Sequence, residues 1–217
     1  MATETRLPLS RDRILKAALA LADESGIESV TMRKLGEALG FEAMSLYNHV
    51  ANKDDLLDGI LDLVLAESEP PAPEGEWDEA VRASAISIHA ALRNHGWSSA
   101  LLMTGRIRPA RLRYMDSLLG RLREAGFSAE TTYAVYHVLD GHIFGFALWE
   151  SGYNMKAEDA DKLAGSVMPM LGDYPYLREH AEQHMSEGSH HEVSAFELGL
   201  DMILDGLREM HDTGVGQ

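Results

Sequence analysis

The chain has 217 residues, of which 45% are hydrophobic and 25% charged, a composition typical of a globular protein with one large domain or two small ones. It contains no cysteine, which excludes disulfides, thiolate metal sites and cysteine nucleophiles. No apolar run reaches the ~18 residues of a membrane helix, and the N-terminus lacks the apolar core of a signal peptide. We therefore expect a cytoplasmic protein that does not associate with membranes.

The net charge of −16 argues against a broad nucleic-acid-binding surface. Residues 1–65 hold 7 Lys and Arg against 11 Asp and Glu, and the remaining acid lies further along the chain. Any DNA contact must therefore depend on where individual cations lie, and we expect such binding to be strongly sensitive to salt.

Apolar residues recur at helical spacing through the first 65 residues. Ser10 can cap a helix that ends at Gly26, and Thr31 can cap a second helix with Leu35, Ala38 and Leu39 on its inner face. Gly40 then makes a turn. The pattern predicts a third helix at 42–48 and a fourth that starts at Asn52 and carries the apolar residues Leu56, Leu57, Ile60, Leu61, Val64 and Leu65.

A segment with three prolines, Glu69 to Glu76, interrupts this pattern and cannot continue a helix. We place a domain boundary here, with domains at 1–69 and 70–217. Helical patterns follow at 77–95, 99–105, 109–125, 128–150 and 192–210, and the stretch 153–191 is weaker and more polar.

Residues 31–53 have the spacing of a helix-turn-helix unit, in which one helix enters the major groove of DNA. Leu35, Leu39, Leu46 and Val50 would form its small core. On spacing alone, an ordinary helical hairpin with a polar face explains these residues equally well.

The last helix predicts self-association. Its polar residues between Phe196 and Leu207 form a single stripe, and a helix that is apolar over most of its circumference must be buried on more than one side. The helix around 133–149 is similar, and its Gly141-x-x-x-Gly145 permits close approach of another helix. Two such helices from each of two chains would form a four-helix interface; the alternative is a monomer with a deeply buried hairpin.

Three segments resemble a known family: ILKAAL from residue 14, TMRKLGEALG from residue 31 and SLYNHVANKDDLL from residue 45. They are similar to the N-terminal domain of TetR-type (tetracycline-repressor-like) transcriptional regulators over residues 10–65. The segment FELGLDMILDGL resembles the tetracycline-repressor subclass more loosely. The resemblance implies an all-α homodimer with a three-helix DNA-binding head and a larger helical body for ligand binding and dimerisation.

The resemblance also implies which residues contact double-stranded operator DNA. Tyr47, His49 and Lys53 match residue types that contact phosphates in the family, whereas Ala43, Met44 and Asn48 lie where its members differ and would set operator preference. The full set is Thr31, Arg33, Ala43, Met44, Ser45, Tyr47, Asn48, His49 and Lys53.

A small-molecule pocket in the body is implied by the family and only weakly visible in the residues. The candidates are Ser84, Ile88, Met103, Tyr136, His137, Asp140 and Phe144, each of which is also explained as ordinary core. Where the tetracycline repressor holds its drug with a histidine, this chain has Ser68 and Glu69, and 100–104 lacks the magnesium-binding histidine. We therefore expect a fairly apolar effector rather than a magnesium–tetracycline complex.

The histidines His180, His184, His190 and His191 form the one metal-like cluster in the sequence, and a solvated loop explains them as well. We expect no cofactor and no catalysis, because no catalytic motif is present. The sequence thus predicts a ligand-responsive transcriptional regulator, a repressor released from its operator by a small molecule. The alternatives are a helical small-molecule or metal carrier that does not bind an operator, and an enzyme built on the helical body.

Overall fold

The structure is a computed structural model that describes residues 8–103, 108–153, 162, 165–185 and 194–214. Within these ranges helices alternate with short loops, which confirms the predicted all-α fold. Two short 3-10 turns lie at Ile27–Ser29 and Met168–Asp173. The α-helices are α1 (Arg11–Ser25), α2 (Met32–Leu39), α3 (Ala43–Leu46), α4 (Lys53–Ala66), α5 (Trp77–Asn94), α6 (Ser98–Leu102), α7 (Pro109–Glu124), α8 (Ala129–Tyr153), α9 (Pro175–Met185) and α10 (Ala195–Thr213).

The predicted caps start the helices of the N-terminal unit. The side chains of Ser10, Thr31 and Asn52 accept hydrogen bonds from backbone amides three residues further on, at 3.2, 3.2 and 2.9 Å. Each bond satisfies an amide that has no partner inside its helix. Local chemistry therefore determines where α1, α2 and α4 begin.

Two glycines determine how α2 and α3 meet. Gly40 ends α2 in the left-handed conformation, with φ of 71°, which a side chain at this position would disfavour. A Cβ atom on Gly36 would lie 2.7 Å from the carbonyl oxygen of Phe41 and 3.1 Å from the amide nitrogen of Ala43. The backbone of the α2–α3 turn therefore approaches α2 where that helix has no side chain.

The structure corrects two details of this unit. Ala38, predicted on the inner face of α2, is exposed, because α2 packs through Leu35 and Gly36. The third helix is also shorter than the predicted 42–48. The carbonyl of Leu46 accepts from the amides of both His49 and Val50, at 2.9 and 3.0 Å, and this tight turn ends α3.

The described residues form two hydrophobic cores, which share α4. Leu56 and Ile60 are fully buried in the core of α1–α4, while Val64 and Leu65, one to two turns later, are buried in the core of the body. The helix also packs against α1, α5, α6 and α7. A displacement of α4 in the body must therefore move the N-terminal unit. From here on the N-terminal unit, residues 8–66, is called the head, and the rest is called the body.

The helices α8 and α10 pack against each other and leave an apolar surface uncovered within one chain. Val138 and Leu148 on α8, and Leu198 and Met202 on α10, are 38–69% exposed. The opposite side of α10 is buried, and its polar stripe pairs with Arg82 of α5, whose guanidinium lies 2.8 Å from Glu197 and 2.7 Å from Asp201. Within one chain the side of α10 that carries Leu198 and Met202 is uncovered, which agrees with the expectation that a second chain covers it.

One helix was not predicted. Residues 175–185 form α9 within the stretch that we interpreted as weak and polar, and most of its residues are exposed. Its apolar residues Leu177, Ala181 and Met185 recur at helical spacing, but polar residues dominate the stretch around them.

Candidate nucleic-acid interface and effector site

The nine predicted DNA contacts lie on the surface of the head. They come from the N-terminus of α2, from α3 with the turn after it, and from the N-terminus of α4. The side chain of Arg33 is 83% exposed, and Met44 and Tyr47 are 74% and 45% exposed. Ala43, Ser45 and His49 are partly buried, whereas Thr31, Asn48 and Lys53 are exposed. All nine are accessible to a partner, and their individual roles remain predictions.

The interface is electrostatically suited to phosphate despite the acidic chain. Lys53 is the first residue of α4, so it belongs to a helix N-terminus, where backbone amides without a helical partner attract anions. Arg33 occupies the first turn of α2, and its guanidinium lies 3.8 Å from Glu37 in an exposed pair that water screens strongly.

An arginine of α1 and an aspartate in the first turn of α4 hold the turn between α3 and α4 in place. Two guanidinium nitrogens of Arg11, on α1, donate to the carboxylate of Asp55 at 2.9 and 2.7 Å, and one also donates to the carbonyl of His49 at 3.2 Å. The amide of Ala51 donates to the same carboxylate at 2.8 Å. Hydrogen bonds from Arg11 and then from the Ala51 amide lower the pKa of Asp55. Asp55 and Arg11 are therefore positioning residues for the turn that carries Tyr47 to His49.

The structure does not bring the seven predicted effector contacts into one site. Ile88 is fully buried in the core, the Ser84 hydroxyl donates to the carbonyl of Glu69 at 2.8 Å, and Met103 is 56% exposed. Ile88 thus lies in the core, Ser84 bonds the loop that follows α4, and Met103 lies at the surface. The other four, Tyr136, His137, Asp140 and Phe144, lie along α8.

Three of these four meet around Arg111, which we did not predict. Its guanidinium pairs with Asp140, donates to the phenol of Tyr136 at 3.3 Å and lies 4.1 Å from the ring centroid of Phe144. Burial raises the pKa of Asp140, although the Arg111 guanidinium acts in the opposite direction. The Nη1 atom of Arg111 and the Oδ1 atom of Asp140 are buried without a hydrogen-bond partner among the described residues. An unsatisfied donor beside an unsatisfied acceptor is suited to a polar group that has both functions.

Two cavities adjoin this cluster. One, of about 460 Å³, lies between the C-terminal end of α4 and the first half of α7, and Tyr114 forms one wall. The other is an open groove of about 620 Å³ between α7 and α8, lined by Tyr136 and His137. The first cavity contains Ser68 and Glu69, the positions at which the chain departs from the tetracycline repressor. Its lining is Leu65, Ala66, Ser68, Glu69, Pro70, Ala110, Arg113, Tyr114, Asp116 and Ser117.

The histidine cluster is only partly within the described residues. His180 lies on the exposed side of α9, whereas His190, His191 and the side chain of His184 are outside the described part. In the part that is described, no group of three or more His, Asp or Glu side chains is placed to hold a metal ion. No described helix has the length and hydropathy needed to span a bilayer.

Comparisons with known proteins agree with this architecture. Residues 14–60 match the model of bacterial regulatory proteins of the tetR family, and residues 69–211 match that of the tetracyclin repressor-like C-terminal domain. The chain is 33% identical to the HTH-type transcriptional repressor DrrR1 of Streptomyces coeruleorubidus, over 92% of this chain and 77% of that protein. It is 29% identical to the class C tetracycline repressor protein of Escherichia coli, over 94% and 93%.

A solved structure extends the comparison to three dimensions. The chain is similar to the Streptomyces coelicolor TetR family protein ActR in complex with actinorhodin, with a TM-score of 0.72, 30% identity, and coverage of 97% of this chain and 100% of that one. DrrR1 and the class C protein are both repressors by name. The chain belongs to the tetR family of bacterial regulatory proteins and is a ligand-responsive, DNA-binding transcriptional regulator of the helix-turn-helix type.

Proposed function

We propose that the chain is a homodimeric repressor that leaves its operator when a small molecule binds in the body, and that it acts on cytoplasmic DNA. The observation that carries this proposal is the placement of α4. Its first half is buried in the head at Leu56 and Ile60, and its last turn lines the 460 Å³ cavity at Leu65. A ligand in that cavity contacts the same rigid helix that supports the DNA-binding surface.

The coupling follows from the two-fold arrangement. Two heads on one dimer contact half-sites in successive major grooves, about 34–36 Å apart. A ligand that favours a different head spacing lowers DNA affinity, and DNA lowers ligand affinity by the same factor. The uncovered apolar surface of α8 and α10, which includes Val138 and Met202, is the surface through which the two chains associate.

The cavity favours an amphipathic effector rather than a purely apolar one. Tyr114 and Leu65 offer apolar walls, whereas Glu69, Arg113 and Asp116 bring both charges to the lining. ActR is solved with actinorhodin, a small organic ligand, and this favours an organic effector for the present chain. We propose that Tyr136, Asp140 and Phe144 respond to the ligand through Arg111, whose guanidinium lies 5.6 Å from the ring centroid of Tyr114.

The test is to fill the cavity without changing the head. Ser117→Phe places a ring in the cavity, and Ala90→Phe places the same ring on an exposed face of α5 as a matched control. Both variants should bind a duplex selected by the wild-type protein with wild-type affinity. Aromatic small molecules, with actinorhodin included, are then added to each complex.

A ligand that releases wild type and Ala90→Phe from DNA but leaves Ser117→Phe bound supports the proposal. Equal release of all three proteins would place the effector elsewhere. If no variant binds a duplex at low ionic strength, the result would instead favour the alternative function, a helical small-molecule or metal carrier that does not bind an operator.

A further inference from the structure

A buried histidine joins the head to the body. His95 follows α5 and is 8% exposed. Its Nδ1 lies 2.8 Å from the Oδ1 atom of Asp23 on α1, and its Nε2 lies 3.1 and 3.2 Å from the two carboxylate oxygens of Glu67, which ends α4. One imidazole therefore connects a helix of the head, the shared helix and a helix of the body.

The indole of Trp97 completes this junction. Its Nε1 donates to the same oxygen of Asp23 at 2.8 Å, and its ring packs against the cores of both the head and the body. Leu19, on α1, likewise contacts both cores. The polar contacts of His95 thus lie where the two cores meet, and a change in them alters how the head is held.

The hydrogen bonds of His95 require two donors. An ionised carboxylate accepts hydrogen bonds and cannot donate them, and a neutral imidazole has one donor nitrogen and one acceptor nitrogen. Only the doubly protonated ring can donate to Asp23 and Glu67 together. The neutral ring directs a nitrogen lone pair at one of these carboxylates, which removes that hydrogen bond and its attraction.

We propose that His95 is a proton-operated latch, which holds the head in one orientation on the body while the ring is protonated and frees it when a proton is lost. Histidine is the side chain whose charge ordinarily changes in the physiological pH range. The charged groups that contact the ring are Asp23 from α1 and Glu67 from α4, and the loop before α6 contributes the neutral indole of Trp97. Only the effect of the latch on operator binding rests on the proposed function. A freed head no longer keeps the fixed distance to the second head of the dimer that an operator requires.

A second buried histidine, His89, differs from His95 in the number and the place of its carboxylate contacts. His89 is 5% exposed, and its Nε2 lies 2.8 Å from Glu150, so it contacts a single carboxylate and both residues belong to the body. A neutral ring satisfies that contact with one donor nitrogen. His89 is therefore the matched control, since it is equally buried and also faces a carboxylate but does not join the head to the body.

The experiment measures the head-to-body distance directly. The chain has no cysteine, so Ala38→Cys in the head and Ala83→Cys in the body, both at exposed positions, accept a pair of spin labels. Labelled chains are diluted with unlabelled protein, and the distance distribution is recorded by double electron–electron resonance at about pH 5.5 and about pH 8.5. The measurement uses no DNA, so that it records the head-to-body distance alone.

We expect the wild-type distribution to be narrow at the lower pH and at least about twofold broader at the higher pH, as the population spreads over several head orientations. The His89→Gln variant should respond like wild type, and His95→Gln should give the same distribution at both pH values. The Glu67→Gln change, at a side chain that is 43% exposed, gives the neutral ring an amide that can donate to its acceptor nitrogen. The distance distribution of this variant should therefore be narrow at both pH values.

Equal wild-type distributions at the two pH values, or a normal response in His95→Gln or a lost one in His89→Gln, would overturn the latch. If His95→Gln does not fold, the Glu67→Gln comparison decides, and a wild-type response in that variant rejects the proposal. A pH-dependent head in a protein that binds no duplex would contradict the proposed function and leave the latch standing.

Discussion

Replacement of Gly36 by alanine tests whether close contact between α2 and the α2–α3 turn determines the geometry of the DNA-binding unit. The added Cβ would lie 2.7 Å from the carbonyl oxygen of Phe41, roughly 0.8 Å inside the separation of about 3.5 Å at which carbon contacts become favourable. The neighbouring atoms are backbone, and the amide of Phe41 also donates to the carbonyl of Gly36 at 2.8 Å. The contact therefore cannot relax by rotation of a side chain.

Two opposing effects determine the size of the change. Alanine is favoured over glycine inside a helix by about 1 kcal/mol, whereas overpacking costs about 1–3 kcal/mol. We expect a net loss of about 1 kcal/mol in the free energy of unfolding. Displacement of α3 should also remove at least one base contact, which lowers affinity for a selected duplex by about tenfold or more.

Gly120, in the interior of α7, provides the matched control. No heavy atom lies within 4 Å of a Cβ placed there, so Gly120→Ala should gain the helical preference of alanine and become up to about 1 kcal/mol more stable. Urea unfolding gives both free energies, and fluorescence anisotropy gives DNA affinity. If Gly36→Ala matches Gly120→Ala in stability and in DNA binding, the close-contact argument is refuted.

Further predictions concern the other surfaces. Met202→Glu should shift the protein towards monomer in analytical ultracentrifugation, because it places a charge on the uncovered apolar face of α10. Met170→Glu, at a residue that is equally exposed but lies outside α8 and α10, should remain dimeric. A monomeric Met170→Glu beside a dimeric Met202→Glu would contradict a dimer interface on α8 and α10. Because the pKa of Asp55 is lowered, its ionised form stabilises the head above about pH 4, and this contribution is lost as the pH falls through the lowered pKa. Asp55→Asn should remove that part of the acid dependence in circular dichroism unfolding, and an unchanged slope argues against it. Lys53→Ala should weaken binding to all duplexes alike and reduce the slope of log affinity against log salt concentration by about 1. Asn48→Ala should change the duplex sequence that the protein selects. An unchanged sequence preference in Asn48→Ala would refute the assignment of Asn48 to a base contact.

The features that the sequence predicts best are those determined by neighbouring residues. Ser10, Thr31 and Asn52 cap their helices within three residues, so their roles can be recognised from composition and order alone. Gly40 is likewise identifiable as a turn because few other residues adopt its conformation. The helices of the body follow from apolar spacing, and their ends differ from the prediction by only a few residues.

The features that it does not predict depend on residues distant in the chain. Arg111 pairs with Asp140, 29 positions later, and His95 pairs with Asp23, 72 positions earlier, so no local pattern connects either pair. Little in the sequence marks Arg111 as a partly buried residue, because it lies one position after Ala110, outside the i, i+4 series of buried residues of α7. Ala38 was misplaced because the backbone approach at Gly36, rather than side-chain hydrophobicity, selects the inner face of α2.

The most direct test of the central claim is selection of duplexes from a random-sequence library by the 217-residue chain, followed by sequencing and by anisotropy at low and moderate salt. Two identical heads on a two-fold dimer should enrich an inverted repeat, and disruption of one half-site should weaken binding to the level of unrelated DNA. Enrichment of a single unrepeated site, or of no sequence at low salt, would contradict the account.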